Sequence, residues 1–269
     1  MSNEAAAVGQ EESGSSSGIE RAVQIIMAVA TTEEPDIGIS ELARQLSLSK
    51  AVVHRAVRTL VASGFFAVDE RTRRYRLGPV AVSVGLTAMA KMDVPRIAAP
   101  HLDRLVTETR ETATLSVRFG DERMYVSQVL SPQEIRMSVQ LGILYPLYAG
   151  SSSKAILAAM PPEETDRYLR TVHLDPMTGS TIRTKDALRR ELDAVRERGY
   201  AISLGERQAG AGSVAAAVMD AAGRVYGSLS VCGPVTRIGL EEAHDYGELV
   251  RDAAAEVSRS LGHRSLQAR

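Results

Sequence analysis

The first third of the chain has apolar spacings typical of short helices separated by turn residues. Apolar residues recur at helical intervals over residues 19–30 and predict a first helix. Ser40 is the expected cap of a second helix, and Ser49 is the expected cap of a third helix that ends at Gly64. The pattern predicts two short helices with a tight turn, preceded by one further helix.

Two short segments after the third helix have the pattern of a β-hairpin. Residues 65–68 and 74–77 are predicted strands, joined by the polar turn 69–72. Gly78 and Pro79 close this unit, and the alanines and spaced apolar residues of 80–91 predict a linker helix. Pro95 is expected to end or kink whatever helix precedes it.

The rest of the chain mixes both periodicities and predicts an α+β domain. We expect helices over residues 98–111, 152–160, 185–198 and 240–261, and strands over 113–119, 123–130, 135–139, 213–219 and 224–231. A length of 269 residues favours two compact units. The predicted organisation is a flexible Ser/Gly-rich tail over 1–18, a winged helix-turn-helix over 19–79, a linker helix over 80–94 and a larger α+β domain over 95–265.

Composition narrows the class of protein. The chain is 44% hydrophobic and 24% charged, as in ordinary globular proteins. Cys232 is the only cysteine, so no disulfide within the chain and no cysteine metal cluster is expected; we expect no metal and no cofactor. Neither a membrane-length apolar run nor a signal sequence is evident, so we expect a cytoplasmic protein without a membrane partner.

The net charge is only −1, but the positive residues cluster. Between residues 44 and 76, eight lysines and arginines stand against Asp69 and Glu70 alone. A basic surface on a helix-turn-helix and its hairpin is the electrostatic pattern of a DNA-binding module.

The third predicted helix divides into an apolar side and a basic side. Val53 and Val57 fall on one side, whereas outward-facing Ala51 and Val52 suit contact with thymine methyl groups. The hairpin arginines are placed to contact phosphates. The candidate DNA-binding residues are Ser40, Ser49, Lys50, Ala51, Val52, His54, Arg55, Arg58, Arg71, Arg73, Arg74 and Arg76. The alternatives are a three-helix packing module with solvated arginines and a merely soluble hairpin surface.

Three enzyme-like patterns lack the context that their chemistry needs. Ser151 and Lys154 fit a Ser-x-x-Lys pattern, but its companion motifs do not occur in the sequence. The glycines at 210 and 212 precede a predicted strand, whereas a dinucleotide fingerprint follows one. Residues 150–154 lack the full phosphate-loop spacing. We therefore do not expect an enzyme.

The chain resembles the isocitrate lyase regulator (IclR) family of bacterial transcription factors over nearly everything after Gly18. In the DNA-binding half the resemblance rests on residues 39–43, 49–55, Gly64 and 74–78. In the sensor half it rests, in the same order, on 146–149, 154–155, 198–200, Glu206, Gly210 and 230–234. The order and spacing of these motifs make the resemblance specific.

The resemblance implies a GAF-like C-terminal domain, homodimers or dimers of dimers on palindromic double-stranded operators, and control by a small-molecule effector. It also implies an effector pocket whose candidate residues are Ser151, Ser152, Ser203, Ser213, Ser230 and Cys232. The chain departs from the family pattern in three places. Ser47 stands where glycine is usual, Ser203 replaces an acidic residue, and Ser213 replaces a cysteine. For the pocket serines, turn capping and strand packing are the alternative roles.

The sequence thus predicts a DNA-binding transcription regulator controlled by a carboxylate or aromatic metabolite. The alternative is a GAF-like ligand-binding or enzymatic protein whose helical module only dimerises.

Overall fold

The computed structural model describes residues 18–32, 34–90 and 93–263. Its contacts divide the chain between Lys91 and Met92 into two compact units. The tail predicted for residues 1–18 lies outside the described residues, apart from Gly18, where the first helix begins.

The first unit is three packed helices followed by a hairpin and a fourth helix. Its elements are α1 (Gly18–Thr31), α2 (Ile39–Gln45), α3 (Lys50–Ala62), β1 (Phe66–Val68), β2 (Tyr75–Leu77) and α4 (Pro79–Ala90). Ile25, Leu42, Val53 and Phe66 are buried together in one apolar core. The paired strands β1 and β2 are antiparallel, which confirms the predicted hairpin.

The junction between the hairpin and α4 is tightly packed. The N–H of Gly78 donates to the Phe65 carbonyl at 2.7 Å, and that of Val80 donates to the Gly64 carbonyl at 3.1 Å. A β-carbon on Gly78 would lie 2.4 Å from the Gly64 oxygen, so only glycine allows this approach. The start of α4 is therefore fixed to the residues that follow α3.

Of the two helix caps predicted in this unit, one is confirmed and the other is wrong. Ser49 caps α3 as expected, its hydroxyl accepting the Val52 N–H at 3.3 Å. Ser40 is not the cap of α2. Gly38 holds that position, its N–H donates to Glu41 at 3.1 Å, and Ser40 lies exposed in the first turn. The Glu41 side chain thus accepts the N–H of the capping residue, which is one half of a capping box, and glycine offers no side chain for the other half.

The second unit is an antiparallel sheet with helices on both faces. Its elements are α5 (Asp93–Thr109), β3 (Thr112–Phe119), β4 (Glu122–Val129), β5 (Leu144–Pro146), α6 (Ser151–Ala159), α7 (Pro162–Thr171), α8 (Lys185–Arg198), β6 (Ala201–Leu204), β7 (Ala211–Met219), β8 (Val225–Pro234) and α9 (Leu240–Ser260). In the part of this unit that the structure describes, the strand order is β5-β4-β3-β8-β7-β6. The predicted α+β class is confirmed.

Alternate residues of the central strands face opposite sides of the sheet and pack into two separate apolar cores. Val214, Leu229 and Val231 pack with α5 and α9, whereas Ala215 and Val225 pack with α6, α7 and α8. Alternation follows from the period of two along a strand. Because β8 lies at the middle of the sheet, polar residues on its second face are held beneath α6.

One strand prediction is wrong in this unit, because residues 135–139 form an irregular segment. Pro95 lies in the first turn of α5, where its missing N–H has no intrahelical partner to lose. The elements β5, α7 and β6 were not predicted.

Candidate nucleic-acid interface and ligand cleft

The exposed side of α3 carries the basic residues predicted to face DNA. Lys50, His54, Arg55 and Arg58 are exposed, whereas Val53 and Val57 are buried in the core. Ala51 is exposed and Val52 half-buried, so both reach the surface beside the cations. This helix therefore presents cations and small apolar groups together, as a helix in a major groove does.

The turn into α3 contains a left-handed serine. Ser47 has a φ of +53°, in the region that glycine enters without cost. The turn thus keeps the conformation for which the family uses glycine, and serine adopts it with backbone strain.

The hairpin arginines do not all have the same surroundings. Arg71 and Arg76 are exposed, and Arg73 is exposed while pairing with Glu70 at 2.9 Å. The Arg74 side chain is instead 32% exposed and contacts the carboxylates of Asp36 and Glu41. Hydrogen bonds from the Gly38 N–H and from Arg74 lower the pKa of Glu41. Arg74 therefore fastens the hairpin to the start of α2, and it is less exposed than Arg71, Arg73 and Arg76.

A small cleft, with an accessible volume of about 30 Å³, opens in the second unit beside the first turn of α6. Among its lining residues are Tyr125 of β4, Ser203 of β6 and Ser213 of β7, together with Ser151, Arg207 and Cys232. Ser203 and Ser213 are paired across β6 and β7, and Ser213 is paired with Cys232 across β7 and β8. The Ser151 hydroxyl lies 2.8 Å from that of Ser213. Four of the six predicted pocket residues therefore meet in one place.

The other two predicted pocket residues do not line this cleft. Ser152 is buried within α6. The Ser230 hydroxyl is 2.6 Å from that of Thr114, so it joins β8 to β3 inside the sheet. Ser230 lies two residues from Cys232 along β8 and pairs with Ala215 of β7, and its hydrogen-bonding capacity is used internally. It therefore does not line this cleft.

Burial sets the chemistry of the remaining groups around the cleft. Burial raises the pKa of the Cys232 thiol to about 12, so it stays neutral at physiological pH and is not a reactive thiolate. Glu206 accepts the Gly150 N–H at 3.1 Å and forms an ion pair with buried Lys154. Lys154 is thus held by Glu206 and is not available to act as a base for Ser151.

Sequence reasoning missed a cluster of two arginines and two tyrosines next to the cleft. The Arg207 guanidinium lies 4.8 Å from the ring centroid of Tyr145 and 5.9 Å from that of Tyr125. Arg123, which is fully buried, stacks 4.3 Å from the Tyr125 centroid. The sequence contains Arg123, Arg207, Tyr125 and Tyr145 but does not show that they lie together. The pairing of β4 with β5 places Tyr145 opposite Arg123.

Within the described residues, no cluster of three or more histidine, cysteine or acidic side chains has the geometry to hold a metal ion. In the same part of the chain, no helix is long and apolar enough to cross a membrane.

A helix-turn-helix with a basic face, joined in one chain to an α+β unit with a hydroxyl-lined cleft, defines a ligand-responsive transcription regulator. The chain matches the IclR helix-turn-helix domain over residues 18–70 and the bacterial transcriptional regulator IclR C-terminal domain over residues 86–259. It therefore belongs to the IclR family of transcription regulators. This confirms the predicted family, and the names of its relatives are those of regulators, not enzymes.

Relatives of known sequence and structure agree with this assignment. The HTH-type transcriptional regulator BhcR of Paracoccus denitrificans is 32% identical over 260 residues, which cover 97% of this chain and 92% of BhcR. The crystal structure of the regulator from Alicyclobacillus acidocaldarius is similar with a TM-score of 0.80 and 28% identity, over 91% of this chain and 98% of that one. An IclR homologue of Microbacterium hydrocarbonoxydans complexed with 4-hydroxybenzoate has the same fold, with a TM-score of 0.77, 23% identity, and coverage of 91% and 99%.

Proposed function

We propose that α3 reads an operator in the major groove and that an anionic effector in the α6 cleft controls this binding. The observation that carries the proposal is the capped helix α3, whose exposed face combines Lys50, Arg55 and Arg58 with the small apolar residues Ala51 and Val52. Cations on such a face supply affinity through phosphates, and apolar contacts with thymine methyl groups supply sequence preference.

The hairpin supplies further phosphate contacts. Arg71, Arg73 and Arg76 are the proposed contacts, since all three are exposed. Ser40, Ser49 and His54 lie on the same unit as donors to the DNA backbone. Arg74 positions the hairpin through Asp36 and Glu41 and does not itself bind DNA.

The effector is proposed to be a carboxylate, with aromatic carboxylates included. Ser151, Ser203, Ser213 and Cys232 line the cleft and offer hydroxyl and thiol donors. The first turn of α6 adds backbone N–H groups that have no partner within a helix, and such a turn favours negative charge. Ser152 and Ser230 do not line the cleft and are not among the proposed contacts.

The regulator is proposed to act as a homodimer or a dimer of dimers in the cytoplasm, where operators are found. Within the described side chains of α4, the apolar residues are exposed on all sides, with Leu86 63% exposed and Val82 and Val84 more than half exposed. An apolar helix with so much exposed surface gains stability when a second copy covers it. Two-fold symmetry then matches a palindromic operator.

The test is a gel shift on an operator selected from random duplexes by the full-length protein. Arg55→Ala and Arg58→Ala are expected to weaken binding to operator and to unrelated DNA alike, by about tenfold each. Val52→Ser is expected to reduce the preference for operator over unrelated DNA instead, because it removes an apolar contact and no charge.

Arg190→Ala provides the matched control, because Arg190 is an exposed arginine on α8 in the other unit. It is expected to leave DNA affinity unchanged. Unaltered operator affinity of Arg55→Ala would show that the exposed face of α3 does not contact DNA.

A further inference from the structure

We propose that the α6 cleft contains a second anion subsite at Arg207, beside Tyr125 and next to the buried cation Arg123, and that the effector is a short dicarboxylate. This inference rests on the proposed function, since the serines bind the first carboxylate. It adds a requirement for a second negative charge in the ligand.

Among the described residues, Arg207 stands at the cleft without a carboxylate partner. It lines the cleft, and none of the other lining residues in the described chain is charged. Its side chain runs along the cap of α6, since a β-carbon on Gly150 would lie 3.8 Å from the Arg207 β-carbon. A cation beside the N-terminal end of a helix has the same sign as that end of the helix dipole. The position therefore favours an anion next to Arg207.

Arg123 is the second cation at this helix end. Its Nε donates to the Ser153 hydroxyl in the first turn of α6 at 2.7 Å, but neither of its terminal nitrogens has a hydrogen-bond partner among the described residues. Burial lowers the pKa of Arg123, and the positive charge of Arg207 acts in the same direction. A fully buried guanidinium with unpaired N–H groups is rare, because such groups lose hydration without compensation.

The nearby carboxylates are already paired with other residues. Glu206 is held by Lys154 and by the Gly150 N–H, and Glu191 is held by Lys154 and by Arg198. These four side chains carry no net charge together. Arg123 and Arg207 are thus the uncompensated pair around the cleft, an excess of two positive charges.

Stacking on the tyrosine rings does not provide hydrogen-bond partners for the two guanidinium groups. The ring centroids of Tyr125 and Tyr145 are 5.8 Å apart, and both arginines lie over this pair. A cation–π contact stabilises a guanidinium by its ring face but leaves its in-plane N–H groups unpaired. Those groups form a planar fork that matches a carboxylate. The tyrosines therefore orient the arginines, and a second carboxylate would pair with the N–H groups of Arg207, which lines the cleft, next to the buried charge of Arg123.

The experiment compares matched probes by calorimetry on the full-length protein. Malonate, succinate, glutarate and adipate are each titrated against their monomethyl esters, which keep the size and lose one charge. We expect at least one diacid to bind about tenfold more tightly than its ester. Arg207→Gln is expected to bring that ratio close to one while leaving the affinity for the ester unchanged, and Arg190→Gln is expected to leave both unchanged.

Several results would overturn the proposal. An undiminished diacid preference in Arg207→Gln would do so, as would failure of every diacid to bind at millimolar concentration. Equally tight, Arg207-dependent binding of inorganic phosphate would replace the dicarboxylate by a phosphate. Ser213→Ala separates the two hypotheses. If it weakens neither diacid nor ester, the serine site fails, whereas the Arg207 result still decides the subsite.

Arg123→Met tests the buried cation independently. We expect the Tm of the ligand-free protein to stay the same or rise, because an apolar side chain replaces an unpaired charge, while the diacid preference is lost. Ser153 keeps its hydrogen bond to the Pro146 carbonyl at 2.8 Å in this variant. A lower Tm with an unchanged diacid preference would assign Arg123 a structural role and remove it from the subsite.

Discussion

Ser213 is the central residue among the hydroxyl and thiol groups that line the cleft. Its hydroxyl meets that of Ser151 on α6, and the strand register places Ser203 on one side of it and Cys232 on the other. It is half-buried, so its hydroxyl is shielded by the fold and still reachable from the cleft. A hydrogen bond to a charged ligand is strong in such surroundings.

Ser213→Ala should reduce affinity for a carboxylate effector by about one to two orders of magnitude, since hydrogen bonds to charged groups contribute roughly 1.5–3 kcal/mol. Release of operator DNA, titrated with candidate carboxylates, measures the change. Operator affinity without effector should stay constant. Ser230→Ala is the matched control, because its hydroxyl is bound to Thr114 outside the cleft. A stronger effect of Ser230→Ala than of Ser213→Ala would move the pocket.

At the scale of elements, the turn between α2 and α3 stores backbone strain. A left-handed residue with a side chain costs about 1–2 kcal/mol relative to glycine. Ser47→Gly should therefore raise the free energy of unfolding by about 1 kcal/mol, measured by urea denaturation. Ser63→Gly is the matched control, since Ser63 has an ordinary φ of −82° and donates to the Leu60 carbonyl at 3.0 Å. It should lower stability. A destabilised Ser47→Gly protein would mean that the serine side chain itself supports the turn.

Helix α4 has too much exposed apolar surface for an element of an isolated chain. Leu86→Glu should place a charge in the proposed dimer contact and shift the protein toward monomers, as measured by light scattering at micromolar concentration. Ile135→Glu introduces the same change at a 75% exposed apolar residue of the other unit and should leave the mass unchanged. A wild-type protein that is monomeric on its operator would contradict the dimer itself.

Elements with local signals were predictable from sequence, and those that depend on distant partners were not. Helix α8 has the predicted bounds because Thr184 caps its start and left-handed Gly199 ends it. Residues 135–139 alternate like a strand, but side chains rather than a neighbouring strand satisfy their backbone. Gln128 bonds both the N–H and the carbonyl of Val139, and Arg237 donates to the Ile135 carbonyl.

The same distinction holds for the site. Family motifs indicated Ser151, Ser203 and Ser213, which the sheet brings together. Sequence reasoning missed the two arginines next to the cleft, Arg123 and Arg207. An arginine in a strand pattern is ordinarily a surface residue. Only the pairing of β4 with β5 and the packing of α6 above it bury Arg123.

At the scale of the whole molecule, DNA affinity should depend steeply on salt. Each phosphate contact contributes about −0.9 to the slope of log affinity against log salt concentration. In a dimer one substitution removes two contacts, so Arg55→Ala should reduce the magnitude of the slope by about 2. Gel shifts over a salt series measure it, with Arg190→Ala as the control. A reduction near 1 would indicate that a single protomer contacts the DNA.

The glycine-mediated junction between the hairpin and α4 has a mechanical consequence. The N–H groups of Gly78 and Val80 donate to the carbonyls of Phe65 and Gly64, respectively. These hydrogen bonds hold the start of α4 directly against the residues that follow α3. We therefore expect a rotation of α4 to move α3 with it. In a dimer, such a rotation changes the separation of the two recognition helices, which must match half-sites about 34 Å apart. An effector that alters the angle of α4 would thus act on operator geometry and leave each DNA-reading surface intact.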